Sequence, residues 1–380
     1  MRLRVFDHIS EIARAEWDAL CESDEHATPF TRWAFLEAVE ESGCASARSG
    51  WRPRHLTLWR DGRLVAAAPA YAKDSSEGDF SRDWGWAESA ARAGIDYYPK
   101  LCVTVPFTPA SGRRILVAPG EDRGTAVRTL VAGALELAQD EGMSSVNVLF
   151  ATENEAAELD ACGLARRMDF QFHWRNQDYR TIDDWLKSLR SKKRHMVRRE
   201  RAAPAEQGIA IRTVRGDEVR ERAAEWAKTV HKFYRTHIDK LMWGRPYLSP
   251  RFFERVFQTM PEHLEIVEAT RGGRFIAGAF NISSRTHLYG RYWGAFEEHQ
   301  FLHFNVCLYH SIEDCIERGI RVFEGGAGGE HKHARGFDPV ATWSAHAFLD
   351  PRLDRGIRDY LARELSARQA ALVRWQEEHS

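Results

Sequence analysis

Apolar and polar positions along the chain run through one succession twice. In the first half, the β-type runs His55 to Arg60 and Arg63 to Ala68 flank Asp61-Gly62, a dipeptide that supplies the positive φ angles of a tight hairpin turn. In the second, Leu264 to Thr270 and Arg274 to Ile282 flank Gly272-Gly273. Apolar residues at helical spacing follow each hairpin. Val127, Leu130, Val131, Ala134, Leu135 and Ala138 predict one helix, closed by Gly142 and followed by the β run Ser145 to Phe150. Phe304, Leu308, Ile312, Cys315 and Ile316 predict its counterpart, closed by Gly319 and followed by Ile320 to Glu324. A helix also opens each half: Phe30 to Glu41 behind Thr28-Pro29, and Glu218 to Thr236. This order is that of an α/β unit with a mixed sheet. The pattern therefore predicts two units, 1–180 and 181–380, with ligands where central strands part or a helix begins.

The two copies differ in one interval. From hairpin to β run is 83 residues in the first half (62 to 145) and 48 in the second (272 to 320). The excess falls in an insertion, 73–110, which is far longer than an ordinary loop and holds Trp84, Trp86, Tyr97, Tyr98, Phe107 and three prolines. Two readings fit: an ordered ligand wall, or a small core of the insertion's own.

Composition narrows the class but not the partner. With 380 residues, 43% hydrophobic and 29% charged, the chain can bury two cores, which excludes disordered and low-complexity classes. A formal net charge of −1 selects no partner, so binding of nucleic acid or membrane has to come from local clusters. Met1 to Ser10 has no export-signal pattern and no stretch is long and apolar enough for a membrane span, so a soluble cytoplasmic protein is expected. Cys21, Cys44, Cys102, Cys162, Cys307 and Cys315 are read as reduced core thiols.

Polar chemistry is densest between Tyr289 and His346, in YGRYWG (289–294), HFN (303–305), GGAGGEHKHARGF (325–337) and TWSAH (342–346). Gly325, Gly326, Gly328 and Gly329 directly follow a β run, where a backbone bends sharply or approaches a ligand closely. The segment is not a P-loop, because His333 follows Lys332 and GxGxxG spacing is absent. His299, His303, His310, His331, His333 and His346 lack metal-ligand spacing, so no metal is expected, and no GxSxG elbow marks a hydrolase. A second cluster, Lys187 to Arg201, carries eight Lys/Arg and one Glu; Arg190, Arg194, Arg198 and Arg201 share a face at helical spacing. It is either a solvated helix or a site for an anion such as a tRNA backbone or a nucleotide-linked substrate.

On these residues the chain resembles the FemAB-like proteins of peptidoglycan biosynthesis/recognition, a branch of the tandem GNAT acyltransferases. The resemblance runs from PFTRWAFLEAVEESG (29–43) through DWGWAE (83–88) and YYPKL…VPFTP (97–109) to LYGRYWG, LHFN, GGEHKHARGF and TWSAH. It implies two GNAT-like domains and transfer of an acyl group to an amine acceptor, in the Fem branch an aminoacyl group from charged tRNA. The donor is then a co-substrate, aminoacyl-tRNA or acyl-CoA, and no cofactor is tightly bound. Two departures stand out. The best match to the pyrophosphate loop of ordinary GNAT domains, residues 121–126, begins with Glu121 where Gln or Arg is usual; residues 294–299 match less well still. The chain also shows no long heptad stretch for the coiled-coil arm of many tRNA-dependent Fem enzymes.

By the same resemblance Lys332, Gly336 and Phe337 belong to a segment lining the transfer channel. Aminolysis needs a deprotonated amine, a carbonyl held in line and donors for the oxyanion. Lys332 is the candidate for charge stabilisation, with Arg335 assisting and His331 or Glu330 relaying the amine proton. A Glu330–Arg335 ion pair holding the loop is the alternative for those two. Candidate substrate-binding residues are Asp83, Trp84, Trp86, Tyr97, Tyr98 and Lys100 in the insertion, and Arg291, Tyr292, Trp293, His303, Asn305 and His346 downstream. Arg190, Arg194 and Arg198 are the anion-binding candidates. The other function class is a non-catalytic module that recognises a cell-wall or peptide-like ligand through the aromatic insertion.

Overall fold

The computed structural model describes residues 1–240, 244–326 and 330–379, with the side chains of Glu330, His331 and His379 left out of that description. Its chain divides into two units, one formed by Met1–Phe170 with the residues from Ala341 onward, the other by Gln171–Val340. This division differs from the expected one at 180. The chain leaves the first unit within one long strand and returns to it within another, so the last forty residues belong with the N-terminal half.

In the first unit the order is β1 (Arg2–Phe6), α1 (Arg14–Glu22), α2 (Trp33–Glu41), β2 (Trp51–Pro53), β3 (His55–Arg60), β4 (Arg63–Ala68) and β5 (Ala70–Lys73). Then come α3 (Trp84–Arg92), β6 (Lys100–Val103), β7 (Leu116–Val117), α4 (Arg123–Asp140), β8 (Ser145–Ala151), α5 (Glu153–Ala161) and the exit strand β9 (Ala165–Arg175). The second unit holds α6 (Ile182–Ser188), α7 (Ser191–Glu206), β10 (Ile209–Arg215), α8 (Asp217–Glu221), α9 (Ala223–Ile238), α10 (Pro250–Thr259), β11 (Leu264–Arg271), β12 (Arg274–Ser283) and β13 (His287–Ala295). It continues with α11 (Leu302–Phe304), a π turn (Asn305–Tyr309), α12 (His310–Arg318) and β14 (Val322–Glu324). The return strand β15 (Asp338–Phe348) and the long helix α13 (Pro351–His379) complete the chain.

Both hairpins form where the turn residues demand them: Asp61 and Gly62 have φ of 51° and 79°, Gly272 and Gly273 have 56° and 75°. The closing glycines Gly142 and Gly319 are left-handed as well, at 65° and 68°. In the first unit β1, β3, β4 and β7 form one sheet, while β15, β8, β6, β5 and β2 are consecutive neighbours in another. In the second, β10 to β14 run in order. Among the described residues each unit contains a short parallel pair, Leu101–Val103 with Val146–Val148 and His287–Tyr289 with Val322–Glu324. The cores are apolar faces closing on these sheets: Leu130, Val127, Leu58, Val146 and Val148 in the first unit, Phe323, Leu308, Ile312, Trp185 and Phe337 in the second.

Three helices depart from expectation. The first begins at Trp33 rather than Phe30, because Arg32 is extended and Trp33 is pinned, its backbone to Asp18 and its indole to the carbonyls of Ile9 and Ile12. The helix expected over 218–236 is broken at Arg222. The basic stretch 187–201 is not one helix: α6 ends at Ser188, Leu189 turns extended to pack on the core, and α7 starts at Ser191 with Arg190 as its cap. Among the described residues no helix is long and apolar enough to cross a membrane.

Candidate active site

Lys332 lies on a single 3-10 turn, Glu330–Arg335, that follows the glycines at the end of β14. Its ammonium donates to the Gly326 carbonyl at 2.8 Å, and the residue is only 6% exposed. Burial lowers its pKa to about 8, partly opposed by its interaction with the Cys307 sulfur in the π turn. Desolvation penalises the charged form, so this is an ammonium poised near neutrality rather than a surface lysine. Gly336, with φ +83°, closes the turn where a Cβ would come within 2.9 Å of the Trp185 indole, and Phe337 is fully buried edge-on to Phe323. Gly328 and Gly329 lie outside the described residues, as do the side chains of Glu330 and His331.

Arg335 is held by Glu200, a residue the sequence reading passed over. Its Nε and Nη2 donate to the two carboxylate oxygens at 3.0 and 2.9 Å, and its guanidinium stacks 3.4 Å above the Phe304 ring centroid. Tyr309 donates to the same carboxylate, and Asn305 donates to the Glu200 backbone carbonyl at 2.7 Å. Helix α7 thus grips the Lys332 turn from one side, and Lys193 of the same helix lies 3.3 Å from His333 Nε2. Two further buried groups sit near Lys332. His173 Nε2 is 4.0 Å from Glu324 Oε2, and burial, with Arg175, His287 and Lys332 nearby, lowers the His173 pKa to about 3, so its imidazole is neutral.

The residues of β13 stand beside this turn in the fold, since the parallel ladder of β13 and β14 ends at Tyr289 and Glu324. Arg291 is the extra residue of a β-bulge, where pairing slips between Phe280 with Tyr292 and Asn281 with Gly290, and its guanidinium lies 5.4 Å from the Tyr292 ring. Tyr292 packs on Tyr234, and Trp293 on His303 with centroids 4.5 Å apart. Gly294 has a steric reason, because a Cβ there would sit 1.9 Å from the Phe233 carbonyl oxygen of α9. In this unit the structure thus holds Lys332, Arg335, Asn305, Arg291, Tyr292, Trp293 and His303. Arg190, the cap of α7, and Arg198 on that helix are exposed, and Arg194 is half-buried, its Nη1 donating to the Lys187 carbonyl.

His346 belongs to the other unit. It lies in the first unit, its ring 4.9 Å edge-on to Trp86, with Nδ1 and Nε2 2.8 Å from Asn147 and Ser344 respectively. Trp86, Tyr97 and the half-buried Tyr98 share a small core with Phe348, Leu353, Ile357 and Leu361, so these aromatics pack the insertion onto β15 and α13, and Trp84 remains 58% exposed. Lys100 is fully buried between Asp79 (2.9 Å) and Asp83, to which Tyr97 also donates at 2.7 Å. These charges hold the insertion together and point inward. The stretch expected to resemble a pyrophosphate loop is taken up by its own carboxylates: Asp122 caps α4 by accepting from Thr125 N, and Glu121 pairs with Arg60 at 2.7 Å. Just past the parallel pair of this unit, the buried Arg114 donates to the carbonyls of Leu149 and Ala110. Among the described residues no three His, Cys, Asp or Glu side chains converge as a metal set.

The family model FemAB-like, described as peptidoglycan biosynthesis/recognition, matches residues 8–380. The chain belongs to the FemAB-like family. Similar solved structures include FemX (14% identity, 94% of this chain and 100% of that one, TM-score 0.57) and L-PGS from Bacillus licheniformis (10%, 93% and 96%, 0.54). A tandem GNAT protein from the clavulanic acid biosynthesis pathway is also similar (14%, 92% and 99%, 0.47). No curated protein sequence matches the chain. At these identities FemX and L-PGS establish the fold, two tandem GNAT-type α/β units with mixed sheets. In this FemAB-like chain Glu330–Arg335 form the turn that carries Lys332, while TWSAH belongs to the other unit.

Proposed function

We propose that this protein is an acyltransferase that moves an aminoacyl or acyl group from an activated donor, aminoacyl-tRNA or acyl-CoA, to an amine acceptor such as a peptidoglycan precursor or small peptide. The observation that carries the reading is the buried, pKa-lowered Lys332 on the glycine-bounded turn at the end of β14. The acceptor nitrogen attacks the ester or thioester carbon; a C–N bond forms, the carbonyl becomes an oxyanion, and the C–O or C–S bond then breaks. Lys332 offers its positive charge to the oxyanion or leaving group, where low dielectric makes it most effective. His331 or Glu330 passes the amine proton to the departing oxygen or sulfur. Arg335 acts as a positioning residue through Glu200. The carboxylates at the start of α4 disfavour a pyrophosphate at that helix of the first unit. A cytoplasmic location, where charged tRNA is made, is part of this reading, as is an acceptor from cell-wall synthesis, which the family description supports.

Incubating the protein with labelled aminoacyl-tRNA or acyl-CoA and amine-bearing muropeptide precursors tests it: new amide product is the expected result. Binding of precursors with no turnover of either donor would leave the non-catalytic module as the function.

The arginine face of α7 is proposed as the surface that meets an anionic donor. Arg194→Glu with Arg198→Glu is expected to weaken tRNA binding and to reduce the slope of log affinity against log salt by about 0.7 to 0.9 for each phosphate that is no longer neutralised. Unchanged affinity and slope would show that the face is only solvated.

A further inference from the structure

Within the first unit, α3 and the start of α13 line a half-open cavity of about 450 Å3 that no step of the proposed transfer uses. Its apolar wall includes Trp86, Leu353 and Ile357, and Tyr360, 43% exposed, carries that wall out to the surface. The charged part of the lining is Arg82, Arg167 and Arg352; among the described residues no carboxylate contributes to it. Each guanidinium is braced from elsewhere: Arg167 by Glu364 at 3.0 Å and the Ser81 carbonyl at 2.6 Å, Arg352 by Asp350 at 2.8 Å, Arg82 by Asp169 at 3.4 Å. A guanidinium has five N–H groups in a rigid fork, so a pair of this kind orients it and leaves donors for a ligand. Arg167 also lies 4.7 Å from the Trp86 ring, which joins the charged part of the lining to the apolar wall.

Two glycines give an independent indication. Gly85 lies inside α3 and Gly356 inside α13, and both line the cavity. Neither has a positive φ, and a Cβ built on either would meet nothing within 4 Å. Glycine is less favourable than alanine inside a helix, and here no turn or close backbone approach calls for it. What the missing side chains leave is room.

We infer that this cavity binds a small amphiphilic anion, an apolar chain or ring ending in a carboxylate or phosphate. The wall takes the apolar body and the arginines take the head group, the division of labour usual in small-molecule sites. The size falls within the range of such sites, about 300 to 1,000 Å3.

Calorimetry and tryptophan fluorescence on the full chain test this with octyl phosphate and octanoate, against octanol, octyltrimethylammonium and inorganic phosphate. Saturable binding of at least one octyl anion is expected, about tenfold or more tighter than the neutral and cationic analogues and than inorganic phosphate. The tighter of the two anions assigns the head group. Gly356→Leu puts a side chain into the open space at a helix-favouring position, and should weaken that binding about tenfold or more while keeping the melting temperature; Gly356→Ala should do so partly. Arg352→Gln should weaken the anion and leave octanol unchanged. Equal binding of the tighter octyl anion and the cation, equal binding of that anion and inorganic phosphate, undiminished binding by a folded Gly356→Leu protein, or no saturable binding below about 1 mM would each overturn the assignment.

Discussion

Lys332→Met is expected to lower turnover by about two to three orders of magnitude with little change in substrate affinity, the loss seen when one oxyanion donor is removed. Methionine keeps the stem's bulk and removes the charge. Because burial already holds the Lys332 ammonium at a cost, its removal should leave the melting temperature unchanged or raise it, although the Gly326 carbonyl loses a donor. Turnover per folded molecule therefore separates the two roles. A well-folded variant with near wild-type turnover would take Lys332 out of the mechanism, and a destabilised variant with normal turnover would make the residue structural.

The pH dependence follows with a definite sign. With a pKa of about 8 in the folded protein, Lys332 is charged below that value and loses its proton above it. If the ammonium is the form that stabilises the oxyanion, wild-type turnover falls as pH rises through about 8, and Lys332→Met lacks that limb. Stability moves the other way: between about 8 and the ordinary lysine value the unfolded chain binds more protons than the folded one, so this residue makes the fold more stable as pH rises through that window. Opposite trends in turnover and stability across one pH range would be difficult to attribute to a general alkaline effect.

The elements legible in the sequence were those with a local chemical cause. Asp61-Gly62 and Gly272-Gly273 force hairpins by their φ angles, and Gly142 and Gly319 end helices for the same reason. Boundaries without such a cause were not legible. The chain crosses between units inside β9, in the run FQFHWR where no glycine or proline punctuates the strand, and inside β15 directly after Pro339-Val340, where a proline near the first residue of a strand reads as the strand's start and not as a boundary between units, so neither crossing is legible in the sequence. His346 is close to Lys332 in sequence, yet it lies on β15 and packs on Trp86 in the first unit. Lys100 and Asp83 resembled ligand groups because charge beside aromatic residues reads the same way whether it faces a solute or another buried charge. Glu200 looked like one acid in a basic run. Its signal was positional: Val197, Glu200, Ala203 and Pro204 are the buried stripe of α7, and a carboxylate on a buried stripe requires a partner.

That partner makes Glu200→Ala the second large effect. The substitution leaves Arg335 buried with an uncompensated charge and takes the acceptor from Tyr309, so a loss of about 3 to 5 kcal/mol is expected, on the order of 10 °C in melting temperature for a unit of this size. Stability alone would not reveal a role in the site, because any broken buried pair destabilises. The double variant Glu200→Leu with Arg335→Met removes both charges and fills the space with apolar groups, which is commonly neutral or stabilising for a buried ion pair. If the pair only supports the fold, the double variant regains both melting temperature and turnover. If it also fixes the turn that carries Lys332, thermal stability returns while kcat stays at least about tenfold down and KM changes little, because a small misplacement of a charge-stabilising group acts on the transition state rather than on substrate binding. Full recovery of kcat in the double variant would confine Glu200 and Arg335 to the fold.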